Sequence, residues 1–215
     1  MAIGGDLSSS RLLDAYSKGI FPWFDNDEQP VMWWSPDPRC ILYPHSFHMS
    51  RSLGKWCRKH ELIATIDQDF DRVIEHCASP RQYEESTWIT PSMKHAFSVL
   101  HQEGYAHSLE IRFERSLVGG IYGISLGRHF YGESMFSLMT NGSKVALMAL
   151  CQLLAQREFE FVDCQIPTAH LISQGAVIID RIQFLKLIEE NRTESTTRGP
   201  WEIPPFQVLP NAQVA

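Results

Sequence analysis

The sequence predicts an α/β chain of the α+β kind: a splayed mixed sheet with helices packed on it, preceded by a small N-terminal domain. Three observations lead there. From residue 62 onward, short runs of β-branched and aromatic residues alternate with segments of helical period. Between Gly119 and Phe136 the chain packs five glycines, four aromatics and one carboxylate, Glu133, into two strand-like runs that bend at Gly127. Ahead of both, five large aromatics fall within the fourteen residues from Phe21 to Trp34, stiffened by proline and fitting neither period. The expected division is residues 1–40 for the N-terminal domain, 41–195 for the sheet domain and 196–215 for a tail.

Each element has its own signal. Asp6 or Ser8 can cap a helix carrying Leu12, Leu13 and Tyr16, with Gly19 as its left-handed stop. Two prolines forbid regular structure through Ser35-Pro36-Asp37-Pro38. Leu62–Ile66 reads as a strand, and Asp69–Ala78 as a helix with Phe70, Val73, Ile74 and Cys77 inward. The loop Glu84–Ile89 presents Trp88, and Thr90-Pro91 then start a helix that Gly104 ends. Leu109, Ile111 and Phe113 alternate as a strand, followed by strands near 117–126 and 128–136. Asn141 or Ser143 caps a strongly apolar helix through Leu154, and Phe159–Gln165 is a strand ending in Asp163, Cys164 and Gln165. A short helix over Thr168–Gln174 stops at Gly175, and Arg181–Asn191 is the last. Beyond Arg192 the Thr-, Ser- and Pro-rich composition predicts a loosely held tail.

Bulk properties narrow the function classes. A hydrophobic content of 44% with 20% charged residues is ordinary for a globular chain. No apolar run approaches the roughly 20 residues of a membrane span, and no leader precedes Gly4, so a cytoplasmic protein without a membrane partner is expected. The five cysteines are scattered without a CxxC pair and read as reduced, mostly buried thiols. His45 and His48 lack a further ligand pair, so no metal site is expected. A net charge of −6 argues against a general nucleic-acid binder, and DNA is not an expected partner. Against that acidic background, Arg51, Lys55, Arg58 and Lys59 fall on one helical face. Such a stripe is commonly a solvated face; here it also suits contacts to nucleic-acid phosphates.

The order strand, helix, helix, three strands, helix, strand, helix is that of the GNAT-type acyltransferase fold, whose sheet splays to admit an acyl donor. The glycine-rich turn that cradles coenzyme A pyrophosphate is missing, because the loop before Ser143 has only Gly142. A second motif competes. Gly123-Ile124-Ser125-Leu126-Gly127 matches GxSxG, with Asp163 and His170 following in the chain order of an α/β-hydrolase triad. A nucleophile elbow needs a helix straight after the serine, whereas RHFYGESMF reads as extended.

GGDLS, GIFPWF, WWSPDPR, TWIT, GGIYGISLG, FYGESMFS, NGSKVAL, VDCQ and HLISQGA, in that order over residues 4 to about 180, resemble the bacterial leucyl/phenylalanyl-tRNA–protein transferases. The resemblance implies a small N-terminal domain, a GNAT-like C-terminal domain and no metal or coenzyme. It implies transfer of leucine or phenylalanine from aminoacyl-tRNA to proteins with N-terminal arginine or lysine, which creates a degradation signal. By motif it assigns Trp23 and Trp88 to stacking on the terminal adenosine, and Ile121, Phe130, Met135, Leu147, Leu150 and Val162 to the apolar donor pocket. It assigns Glu133, Asp163 and Gln165 to the catalytic polar set, and Arg51, Lys55, Arg58 and Lys59 to the tRNA surface. The sequence departs from the family pattern at Ile121, where methionine is expected, and at Leu150, where phenylalanine is expected. On this reading Gln165 and Asp163 orient the acceptor amine and relay its proton, while Glu133 holds the donor ammonium or the acceptor's cationic side chain. A non-catalytic module binding aminoacyl-tRNA or N-terminal peptides would keep the tryptophans and the basic stripe without needing Asp163 and Gln165.

Overall fold

The structure, a computed structural model, describes residues 1–79 and 87–209. The N-terminal region holds β1 (Ala2–Ile3), α1 (Ser9–Tyr16), β2 (Phe21–Pro22) and β3 (Met32–Trp34), with the strands in the order β1-β3-β2. There follow β4 (Arg39–Leu42), α2 (Arg51–Cys57), β5 (Leu62–Ile66), α3 (Phe70–Ala78) and α4 (Pro91–Gln102). Next come β6 (Ala106–Phe113), β7 (Ser116–Leu126), β8 (His129–Ser137), α5 (Gly142–Gln156) and β9 (Phe161–Gln165). The chain closes with α6 (Ala169–Ser173), β10 (Val177–Ile179), α7 (Arg181–Glu190) and β11 (Phe206–Gln207). The large sheet has eight strands in the order β10-β4-β9-β8-β7-β6-β5-β11, all neighbours antiparallel except β8 and β9.

That parallel pair creates the opening on which the site depends. β8 and β9 are paired only at His129↔Phe161, Phe130↔Val162 and Tyr131↔Asp163; beyond that point their pairing stops while both strands continue. Each of the two strands also carries one surplus residue there. Tyr122 pairs with Ser134 and Gly123 with Gly132, so Glu133 is the extra residue of a bulge in β8. Cys40 pairs with Gln165 and Ile41 with Asp163, so Cys164 is the extra residue of a bulge in β9. Gly123 has to be glycine, because a Cβ there would collide with the Tyr131 carbonyl and the Phe130 ring. A Cβ on Gly119 would lie 2.6 Å from the Gly142 backbone, so this second glycine lets α5 start directly against β7.

Apolar clusters form on both faces of the sheet. One gathers α1, α3, α4 and α7 with Phe21, Phe24 and Trp33 of the N-terminal region; the other gathers α2, α5 and Trp201. The N-terminal region therefore shares a core with the sheet domain instead of folding around its own. Helix ends follow the sequence, with Thr90 accepting from Met93 N–H ahead of Pro91 and Gly175 at φ 98° after α6. The start of α5 departs from expectation. Asn141 sits at φ 67° without a side-chain cap, and the Ser143 N–H is met from outside by Ser137 Oγ at 3.3 Å.

The expectation of a loosely held tail is overturned through residue 209. Trp201 is buried, stacks on His107 at 3.9 Å between ring centroids and gives its backbone N–H to Asp67; β11 then pairs with β5 at the sheet edge. Composition predicted freedom because one indole and two edge residues are enough to anchor a polar segment. Residues 210–215, and the acidic pair Glu84-Glu85, lie outside the described residues.

Candidate active site

A cleft of about 790 Å³ opens where β8 and β9 part. Its walls include Phe21, Pro22 and Trp23 from the N-terminal region, Trp88, residues 133–138 at the end of β8 and just past it, and Cys164, Gln165 and Ile166 at the end of β9. The polar centre lies at the apex of the opening. Gln165 Nε2 donates to Glu133 Oε1 at 2.9 Å, bridging the two bulged strands, and the Tyr16 hydroxyl donates to the same oxygen at 2.7 Å. Glu133 Oε2 is the one buried carboxylate oxygen without a partner among the described residues. Burial pushes the Glu133 carboxyl up to about 8, with the nearby Asp163 charge adding to the effect against the two hydrogen bonds. Burial first, and then the Glu133 charge, hold the Tyr16 phenol well above its usual range. A buried carboxyl oxygen without a partner is costly, and this one belongs to a residue that lines the cleft.

Asp163 lies behind this centre. Arg39 grips it with both arms of the guanidinium, Nε to Oδ1 at 2.8 Å and Nη2 to Oδ2 at 2.6 Å, and both side chains are 0% exposed. Asp163 Oδ1 also accepts the Gln165 backbone N–H at 3.0 Å. Gln165 sits at φ 61°, a region that non-glycine residues seldom adopt, so its side chain reaches Glu133 from a strained backbone held by a carboxylate. Both Asp163 oxygens thus face Arg39, and one of them also holds the Gln165 backbone.

The family profile of the leucyl/phenylalanyl-tRNA protein transferases matches residues 41–189, and the profile of that family's N-terminal domain matches residues 5–37. This chain belongs to the leucyl/phenylalanyl-tRNA protein transferase family. A relative of that name from Pseudomonas entomophila (strain L48) is 52% identical over 184 residues, covering 86% of this chain and 81% of its own. One from Legionella pneumophila (strain Corby) is 49% identical over 203 residues, covering 94% and 90%.

Against the residues that the resemblance to the leucyl/phenylalanyl-tRNA protein transferases singled out, the structure brings Trp23, Trp88, Glu133, Met135 and Gln165 to one cleft. Trp23 is 40% exposed and tilted against Trp34 with 6.4 Å between ring centroids. Ile121, Phe130, Leu147, Leu150 and Val162 are buried together in the apolar cluster that Met135 packs against; none of them lines the cleft. Arg51, Lys55, Arg58 and Lys59 are all exposed, the first two on α2 and the others just past it, and none makes an ion pair among the described residues.

The hydrolase alternative fails on geometry. Ser125 lies inside β7, 0% exposed, and the turn at Gly127 leads into another strand rather than a helix. Its supposed acid, Asp163, is engaged by Arg39.

Two members of the site escaped sequence reasoning. Tyr16 read as an ordinary inward residue of an amphipathic helix, and nothing local distinguishes it. Arg39 carried a faint signal, an arginine directly after Asp37-Pro38 at the start of an apolar run, where a charge can be buried only if something pairs with it.

Proposed function

We propose that this cleft moves leucine or phenylalanine, and some methionine, from aminoacyl-tRNA to the α-amino group of proteins with N-terminal arginine or lysine, making a degradation signal in the cytoplasm. The observation that carries the reading is the Gln165–Glu133 bridge across the parted strands, inside a cleft walled by Trp23 and Trp88. The large domain is read as GNAT-like, and residues 1–40 as a small N-terminal domain that packs into its core and lends it Trp23.

The reaction is aminolysis of an ester. A new C–N bond forms at the aminoacyl carbonyl, the C–O bond to the ribose breaks, and the amine proton ends on the ribose oxygen. An α-amino group has a pKa of about 7.7–8.0, so part of the acceptor is already neutral near pH 7 and no strong base is required. Holding amine and ester in line can lower the barrier by roughly 7–11 kcal/mol. With its Nε2 committed to Glu133, Gln165 has a carboxamide oxygen left to accept from the incoming amine. The open Glu133 oxygen suits the donor's α-ammonium, whose charge favours the ionised carboxylate. The donor side chain would seat against Met135 at the margin of the apolar cluster. An apolar site separates one methylene by only about 1–3 kcal/mol, consistent with several donors. Trp23 and Trp88 would stack on the terminal adenosine.

Incubating the protein with labelled phenylalanyl-tRNA and an Arg-starting peptide tests the reading. Label should pass to that peptide and not to one starting with alanine; donor binding without transfer would instead favour the non-catalytic module. Arg51→Glu with Lys55→Glu should weaken use of full tRNA and flatten its salt dependence, while sparing a minimal phenylalanyl-adenosine donor.

A further inference from the structure

We infer that Arg39 is a positioning residue for the transfer step, acting on Gln165 through Asp163 without touching either substrate. Its guanidinium is fully buried and held from three directions. Two bonds go to Asp163, a third runs from Nη1 to the Gly19 carbonyl at 3.1 Å, and the rings of Phe21 and Phe184 lie 5.0 and 4.3 Å from its central carbon. An arginine fork held in this way has one orientation, and it passes that orientation to the carboxylate by bidentate contact. The carboxylate then accepts the Gln165 N–H at the residue whose φ is 61°. Relaxation of that backbone would swing the carboxamide away from Glu133 and from any amine in the cleft. Two points of the N-terminal region, the Gly19 carbonyl and the Phe21 ring, meet the same side chain, so one residue ties the wall bearing Trp23 to the strand bearing Gln165. Lysine keeps the charge but offers no fork, and a displacement near 1 Å at a reacting group can cost about 10²-fold in rate.

The inference rests on the reading of Gln165 as the group that meets the acceptor amine, and the test separates the two. Single-turnover transfer from phenylalanyl-adenosine to an Arg-starting peptide is measured for the wild type, Arg39→Lys, Gln165→Ala and the double variant, with donor affinity followed by tryptophan quenching. Arg39→Lys should slow transfer by about 10²-fold with donor Kd changed less than about threefold. In the Gln165→Ala background it should cost nearly nothing more, because the residue it acts on is gone. An equal loss in both backgrounds, or a wild-type rate for Arg39→Lys, would overturn the inference. A wild-type rate for Gln165→Ala alone would instead remove the reading beneath it. A second pair keeps the test open if Arg39→Lys folds poorly. Arg39→Met with Asp163→Leu replaces a buried ion pair by apolar packing, a change that is often neutral for stability. That folded variant should still fail to transfer, and recovery of transfer along with stability would make Arg39 merely structural.

Discussion

Two buried carboxylate networks sit at different places on the sheet, and they are finished to different degrees. Beside β5 and β6, Asp67 accepts from His107 Nδ1 at 2.8 Å and from the backbone N–H groups of Ser108 and Trp201 at 2.9 Å each. Glu110 beside it accepts from Thr65 and Ser108 hydroxyls and from the Asp69 N–H. Burial by itself would raise Asp67, yet the His107 contact and two backbone donors bring it below the ordinary carboxylate range. At the cleft, Glu133 has two donors on one oxygen and none on the other, and burial wins. In the first network every carboxylate oxygen is met and the tail is tied down, the unpartnered atom there being His107 Nε2; in the second a carboxylate oxygen itself is one partner short, on a residue that lines a cavity. A buried acid with its bonds complete is architecture, whereas one left incomplete beside a cleft is a candidate place for a ligand.

The largest test of that contrast is the pH dependence of stability. Glu133 keeps its proton in the fold up to about pH 8, while in the unfolded chain the carboxyl ionises near its ordinary value of about 4.3. Between those limits the unfolded state holds fewer protons, so stability should fall as pH rises, by at most about 4–5 kcal/mol, and then level off above pH 8. Glu133→Gln should remove the Glu133 share of that slope in urea unfolding measured from pH 5 to 9; a slope identical to the wild type would mean that Glu133 is already ionised. Trp201→Ala probes the closed network. Loss of its packing on His107 should cost about 3–5 kcal/mol of stability, with transfer intact at temperatures where the variant is folded. If transfer collapsed in a folded Trp201→Ala protein, the two networks would be coupled and the contrast would be too sharp. Smaller still, Trp23→Ala and Trp88→Ala should each weaken binding of phenylalanyl-adenosine by about 1–3 kcal/mol, read by calorimetry, and the exposed Trp23 should leave melting nearly unmoved. A large drop in melting temperature would instead mark Trp23 as part of the shared core.

Much of this chain was legible in its local chemistry. The Thr90-Pro91 start, the left-handed stops at Gly19 and Gly175, the two strands either side of Gly127 and the apolar helix after Asn141 all appear near their expected places. Each is signalled by residues adjacent in sequence. The grouping of Glu133, Gln165 and the two tryptophans was accessible through family motifs, not through spacing. β1 to β4, β10 and β11 went unseen, because strands of two to four residues show no period and exist only through partners far along the chain. The tail was misjudged for a related reason, since composition measures average polarity and a single buried indole decides whether a segment is held.

By itself, then, the order of residues determined the helices and the longer strands, which side chains are candidates for chemistry, and where glycine had to stand. The tertiary structure alone decided which charge is spent and which is waiting. Asp163 and Glu133 look equivalent as isolated acids, but Arg39, 124 residues from Asp163, neutralises one, and Tyr16, 117 residues from Glu133, leaves the other with an open oxygen. Desolvation and pairing energies depend on distance through space, and no local pattern encodes that distance.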